Sequence, residues 1–251
     1  MSLLRVEHMR KTFAGLTVVD DLSLELSAGE RVGLIGPNGA GKTTVFNLIS
    51  GIYPMDSGAL TLGDIRLDRL PPHRRIHAGV ARTFQNIRLM PHLTTLENVM
   101  FGQQSWADGL SLLYPLSLVR RNRWRDAAAA ELEKAGLGEY SERIVSTLPY
   151  GVQKRIEIAR ALQARPKLLL LDEPAAGLNS RETVELREFL MNVSGRGITL
   201  FVVEHDMAFV GGLCDRVIVL NFGVKIAEGK LADVTRNVDV LEAYLGRRHA
   251  S

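Results

Sequence analysis

Nine consecutive residues, Gly36-Pro37-Asn38-Gly39-Ala40-Gly41-Lys42-Thr43-Thr44, hold the densest chemistry in the chain. Gly36, Gly41, Lys42 and Thr43 fill the four fixed places of G-x-x-x-x-G-K-[ST], a loop whose backbone N–H groups wrap phosphate oxygens. Gly39 and Gly41 let those oxygens approach the main chain, Lys42 sets a point charge near the β and γ phosphates, and the Thr43 hydroxyl suits Mg²⁺. A second group lies far downstream, where the apolar run Leu168 to Leu171 ends in Asp172-Glu173. In a chain with a phosphate loop, that ending reads as a Mg²⁺ carboxylate followed by a base for attacking water. The run Ile198 to Val203 also ends in charge, Glu204-His205-Asp206.

These groups need elements that aim them. Val32, Leu34 and Ile35 make a short buried strand before the loop, and Val45, Leu48 and Ile49 recur at helical spacing after it until Gly51. That order points a helix N-terminus at an anion. The unbroken apolar run before Asp172 fits an interior strand of a parallel sheet, and ligands of open α/β sheets bind outside the strand C-termini. Ile156, Ala159 and Leu162 give an apolar face to a helix from about Gly151 to before Pro166, with Lys154, Arg155 and Arg160 among its polar positions. A helix from Ser180 to Val193 presents Val184, Phe189 and Leu190. Segments Ala208 to Leu213 and Val217 to Leu220 finish the core, followed by a hairpin around Asn221-Phe222-Gly223 and a short amphipathic tail.

Before the phosphate loop, Leu4, Val6, Leu16, Val18, Leu22, Leu24 and Leu26 alternate as in half-buried antiparallel strands, a layer that continues through Leu60 and Leu62. Phe13 lies in a turn-like stretch there, where an aromatic stacks on adenine or serves equally as a minor core residue. Pro71-Pro72 opens a short basic helix ended by Gly79, and Val80 to Gln85 is a short strand whose last residue is, on pattern alone, an ordinary polar end. From Thr94 to Tyr150 strand patterning is lost. Thr94 and Glu97 have capping-box spacing, 109–119 is an apolar stretch, and Arg120 to Ala135 is helical by propensity.

At 251 residues the chain holds one large α/β domain or a core with an insert. The net charge of +3 is too mild to argue for nucleic acid as a partner. The single cysteine, Cys214, excludes an intrachain disulfide. No apolar run is long enough to cross a bilayer and the N-terminus lacks a signal-peptide core, so neither spanning nor secretion is expected.

The order of these motifs resembles an ATP-binding subunit of an ABC transporter over essentially the whole chain. The residues that carry the resemblance are GPNGAGKTT, Gln85, LPYGVQKRIEIARAL (148–162), LLLLDEP, AAGLN (175–179) and VEH (203–205). The resemblance implies an α/β fold, a RecA-like P-loop core with an antiparallel β subdomain (1–94 and 151–251) and a helical insert (95–150). It implies ATP and Mg²⁺ as cofactors and a head-to-tail pair of subunits. ATP held by residues 36–44 of one would be closed over by Tyr150-Gly151 of the other. Gln85 would complete the metal shell with Thr43 and Asp172, Glu173 and His205 would be catalytic, and Phe13 would stack on adenine.

Three positions depart from the family pattern. Pro149 stands where a serine is usual, Val152 where a glutamine or glutamate is usual, and Asn179 where an aspartate is common. RTFQN (82–86), VEHDM (203–207) and VLEAYLG (240–246) resemble the branched-chain, hydrophobic amino-acid importer type, in which such departures are ordinary. The implied partners are transmembrane permease subunits, a second ATP-binding subunit in a heterodimer or homodimer and, indirectly, a periplasmic binding protein. The implied location is peripheral, at the cytoplasmic face of the bacterial inner membrane. Urea or amide import, lipopolysaccharide export, a soluble ABC ATPase and a non-hydrolysing regulator are the alternative readings.

Overall fold

The computed structural model describes residues 2–103 and 118–245; the apolar stretch at 109–117 lies outside them. Two sheets organise the chain. The smaller is antiparallel and contains β1 (Ser2–Phe13), β2 (Leu16–Ser27), β4 (Ser57–Leu62) and β5 (Ile65–Arg66), in the order β2-β1-β4-β5. The larger contains β3 (Arg31–Ile35), β6 (Val80–Arg82), β7 (Leu168–Asp172), β8 (Thr199–Val203), β9 (Arg216–Asn221) and β10 (Val224–Gly229). Its order is β10-β9-β3-β8-β7-β6, parallel throughout except for the β9–β10 hairpin at one edge.

Every residue of β7 and β8 is buried, as strands covered on both faces require. The sheet therefore brings the C-terminal ends of β3, β7 and β8 side by side, with Leu34 beside Val203 and Asp172 beside Val203. The phosphate loop, the two carboxylates and the 204–206 turn leave from those ends. Helix α1 (Lys42–Ser50) packs beneath the loop, where Phe46 meets Phe201 of β8 at 5.1 Å between ring centroids. Gly51 ends it in a left-handed conformation.

Helix α2 (Pro72–Ala78) ends at Gly79, and α3 (Thr95–Phe101) begins at a complete capping box between Thr94 and Glu97. Helices α4 (Leu118–Lys134), α5 (Tyr150–Leu162) and α6 (Ser180–Gly195) follow, then α7 (Met207–Leu213), α8 (Leu231–Val234) and α9 (Val238–Leu245). One continuous apolar cluster joins Val99, Ala128, Leu132 and Ile156 to Leu169 and Leu200 of the parallel sheet. The opposite face of that sheet shares a second cluster with α1 and the antiparallel layer.

Four expectations are corrected. Leu16 is 70% exposed and Val19, not Val18, is fully buried, because Asp21 takes φ +50 and the paired strands shift register, reversing the inward face before Leu22. Strand β6 stops at Arg82, so Gln85 lies in the loop beyond it. Val184 is exposed on α6, whose buried face is Leu186, Phe189, Leu190 and Val193. Lys154, expected on a polar face, is 2% exposed. Among the described residues no helix is long and apolar enough to cross a membrane.

Candidate active site

The phosphate loop is shaped by contacts that only glycine permits at two of its places. A Cβ on Gly36 would stand 2.1 Å from the Leu220 carbonyl oxygen, and one on Gly41 would stand 2.7 Å from that of Val18. Gly39 has open space around it but φ +81, a left-handed turn. The loop is also pinned from outside, since Gly223 N–H of the β9–β10 turn donates to the Ala40 carbonyl at 2.9 Å. Asn38 and Gly39 are exposed at its crest, while Pro37 and Thr44 are half-buried and Thr43 is exposed. Helix α1 has Gly41 as its N-cap, no side-chain cap and no acidic residue in its first turn, which leaves its first amides for an anion.

Lys42 curls back over the loop, its Nζ donating to the Gly36 and Pro37 carbonyls at 2.7 and 2.9 Å. Burial pushes its pKa down, and the carboxylates of Glu173 and Asp172 oppose that shift. Both carboxylates therefore lie within Coulombic reach of Lys42. Asp172 is buried at the end of β7 with Oδ2 accepting from Arg82 Nη2 at 2.7 Å. Glu173 turns away from the strand at φ +47, held by its N–H to the Val203 carbonyl at 2.9 Å. Gln85 Nε2 donates to Glu173 Oε2 at 2.7 Å, so the loop after β6 brings Gln85 to the carboxylates although the strand ends earlier.

These groups suit Mg²⁺ of the kind that keeps phosphate and water in its shell. Among the described residues no cluster of three or more His, Cys, Asp or Glu forms an all-protein metal cage. A hydroxyl (Thr43), a carboxylate (Asp172) and an amide oxygen (Gln85) are hard donors that leave positions for the nucleotide.

The remaining expected residues are placed less directly. His205 is exposed, its Nδ1 3.6 Å from Glu204 Oε2, and among the described residues it makes no hydrogen bond to Glu173. Phe13 is 36% exposed and meets Tyr53 edge to face at 5.1 Å, with Lys11 Nζ 5.2 Å from its ring centre. It pairs with Leu16, two residues before the Val18 that abuts Gly41. Tyr150 borders this cluster, its ring centre 5.7 Å from the Nζ of Lys154, while Gly151 faces α6. The Tyr150 ring lies where a Cβ on Gly177 would be 3.2 Å away, and Gly151 N–H donates to Glu182 Oε1 at 3.2 Å.

Three side chains that the sequence reading gave no role at the site complete the arrangement. Lys154 Nζ donates to the Gln85 carbonyl at 2.6 Å, and burial lowers its pKa. Glu204, 1% exposed, accepts from Ala175 N–H at 2.8 Å and from His205 N–H at 3.0 Å, tying the 174–179 loop to the histidine turn. Glu182 completes a capping box with Asn179 while also bonding Gly151. Only the capping-box spacing of Asn179 and Glu182 is visible in the sequence.

The family model described as ABC transporter matches residues 19–176, and one described as branched-chain amino acid ATP-binding cassette transporter matches residues 224–250. The chain is 44% identical over 249 residues to the high-affinity branched-chain amino acid transport ATP-binding protein LivG of Salmonella typhimurium, covering 97% of this chain and 98% of that protein. It is 40% identical to BraF of Pseudomonas aeruginosa, a protein of the same description, over 97% and 98% of the two chains. Among solved structures, an ATP-binding cassette of an ABC transporter in its ADP conformation superposes with a TM-score of 0.88 at 30% identity, covering 98% of this chain and 100% of that one. A dimeric bacterial ABC transporter cassette superposes with a TM-score of 0.76 at 27% identity, over 91% and 99%.

Proposed function

The chain belongs to the ABC transporter ATP-binding family, and from that premise we propose that it energises import of branched-chain, hydrophobic amino acids at the cytoplasmic face of a bacterial inner membrane. The observation that carries the catalytic part is the Gln85–Glu173 hydrogen bond at 2.7 Å, formed beside Asp172 and across from Lys42. It joins the proposed proton-accepting carboxylate to the amide of a proposed metal donor, next to Asp172 in the chain and within Coulombic reach of Lys42. The cargo comes from the full-length similarity to LivG and BraF and from the matching tail.

In this reading the loop amides of residues 36–44 and Lys42 bind the β and γ phosphates of ATP, and Phe13 stacks on the adenine. Thr43, Asp172 and Gln85 would hold Mg²⁺, whose chemistry there would be Lewis-acid stabilisation of charge on the phosphoryl oxygens. Glu173 takes a proton from attacking water, and His205 turns in to hold the γ-phosphate. Two subunits meet head to tail, so that Gly151, at the N-terminus of α5, faces the partner's γ-phosphate. In the range 95–150 the described residues supply α3 and α4 of the proposed helical insert. Beside it a groove lined by Ile76, Met90, Phe101 and Arg160 receives a helix of the membrane subunit. A periplasmic binding protein delivers cargo from the far side.

Uptake of labelled leucine, beside labelled urea, tests the reading in cells carrying this chain or its Glu173→Gln form. Leucine uptake is expected to collapse with Glu173→Gln while urea uptake is unchanged. A fall confined to urea would overturn the cargo, and no fall in either would favour export.

A further inference from the structure

We infer that Arg82 is a positioning residue for the metal carboxylate: it fixes the orientation of Asp172 and ties it to the loop that carries Gln85. The inference rests on the proposed role of Asp172. Arg82 is the last residue of β6, and its side chain is 7% exposed against 9% for that of Asp172. Nη2 holds Asp172 Oδ2 at 2.7 Å, while Nη1 donates to Asn47 Oδ1 at 2.6 Å and Ser50 Oγ at 3.1 Å on α1. The guanidinium lies 5.7 Å from the Phe46 ring centre and 5.3 Å from that of Phe84.

Packing alone does not account for an arginine here. Its Nε is the one buried side-chain nitrogen or oxygen without a hydrogen-bond partner among the described residues, a desolvated donor left uncompensated. An apolar side chain between two phenylalanines would avoid that cost. What arginine supplies is a rigid fork. One arm grips a single oxygen of Asp172, leaving Oδ1 without a hydrogen bond among the described residues, and the other arm is braced on α1 directly below the phosphate loop. Asp172 is thereby held at a fixed angle to the helix whose first turn carries Thr43. Gln85 lies three residues beyond Arg82 and has its own carbonyl held by Lys154, so the proposed metal donors share one braced unit.

The test uses the full chain with Glu173→Gln, which the proposed role of Glu173 leaves unable to hydrolyse bound ATP. Binding of Mn²⁺ in the presence of ATP is followed by electron paramagnetic resonance, and melting is recorded for each variant. Arg82→Lys keeps the charge but cannot span Asp172 and Asn47 together; Asn47→Ala loosens the brace and leaves the ion pair; Asp172→Asn is the benchmark. Outer partners of metal ligands typically govern affinity by roughly 10–100-fold. Arg82→Lys is therefore expected to raise the half-saturating Mn²⁺ concentration within that range, and Asn47→Ala to raise it less, with metal-free ATP affinity unchanged. A shift in Asp172→Asn with none in Arg82→Lys would reduce Arg82 to a scaffold and overturn the inference. Where Arg82→Lys fails to fold, an unshifted Asn47→Ala overturns it instead. No shift in Asp172→Asn would remove the metal role of Asp172, and the inference with it.

Discussion

Glu173 holds a left-handed backbone at φ +47, which costs an L-residue about 1–2 kcal/mol and which glycine adopts freely. Its N–H bond to Val203 and its side-chain bond to Gln85 offset that cost. Strain of this kind collects where a side chain must be aimed off the line of its strand. Glu173→Gly and Glu173→Ala are both expected to abolish turnover, but the glycine variant should be the more stable by about 1–2 kcal/mol in denaturant unfolding. Equal stabilities would show that the backbone is not strained at this position. The pattern of an apolar strand ending in two acids makes the carboxylates readable from sequence. The dihedral angle is not, since a left-handed non-glycine residue leaves no mark in composition. Arg82 is hidden for another reason: its partner is ninety residues away, and a lone arginine at a strand end looks like any solvated charge.

Helix α5 makes the same point for an element. Ile156, Ala159 and Leu162 are buried as their spacing requires, yet so are Lys154 and Glu157 on a second face. Lys154 bonds the Gln85 carbonyl, Glu157 accepts from Arg88 N–H at 3.0 Å, and Arg160 donates to the Arg88 carbonyl at 2.7 Å. Three charged residues at three-residue spacing thus clasp segment 85–88, and a helical pattern cannot distinguish a clasp from a wet face. Burial raises the pKa of Glu157, against the opposing pull of Arg88 N–H, Arg160 and Lys154. A raised pKa means that the folded chain binds the extra proton between the unfolded and folded values. The contribution to stability is then complete below the unfolded value and is lost as pH rises through the folded one. Glu157→Gln removes that loss. Whatever fixed offset the missing ion pair adds, the stability of the variant relative to the parent should increase as pH climbs from the carboxylate range toward neutrality. Denaturant melts across that range check this, and a difference that stays flat or runs the other way would count against it.

For the whole molecule, the parallel order β9-β3-β8-β7-β6 gathers residues from four distant parts of the sequence, and the order of the motifs was enough to anticipate that gathering. It did not anticipate what the proposed partner-facing surface does in a chain by itself. Pro149 leaves α5 without a side-chain cap, and no acidic residue lies in its first turn. The anion at that N-terminus is supplied by α6, because Glu182 reaches from its capping box to Gly151 N–H. A Cβ on Gly151 would meet the Glu182 side chain at 2.9 Å, so any larger residue here would push that carboxylate aside. In the proposed pair, a γ-phosphate from the partner arrives at this same helix end, and two anions then contend for one amide and one dipole. Removing the charge while keeping the shape should favour the phosphate. With Glu173→Gln in place to prevent turnover, adding Glu182→Gln is expected to lower the ATP concentration needed for half-maximal association with the second ATP-binding subunit, measured by sedimentation. ATP binding to the separate chain should be unaltered. A higher requirement would mean that Glu182 braces the interface instead of competing for it, since the bridge from Asn179 through Glu182 to Gly151 would then be what holds α5 in register with the 175–179 loop.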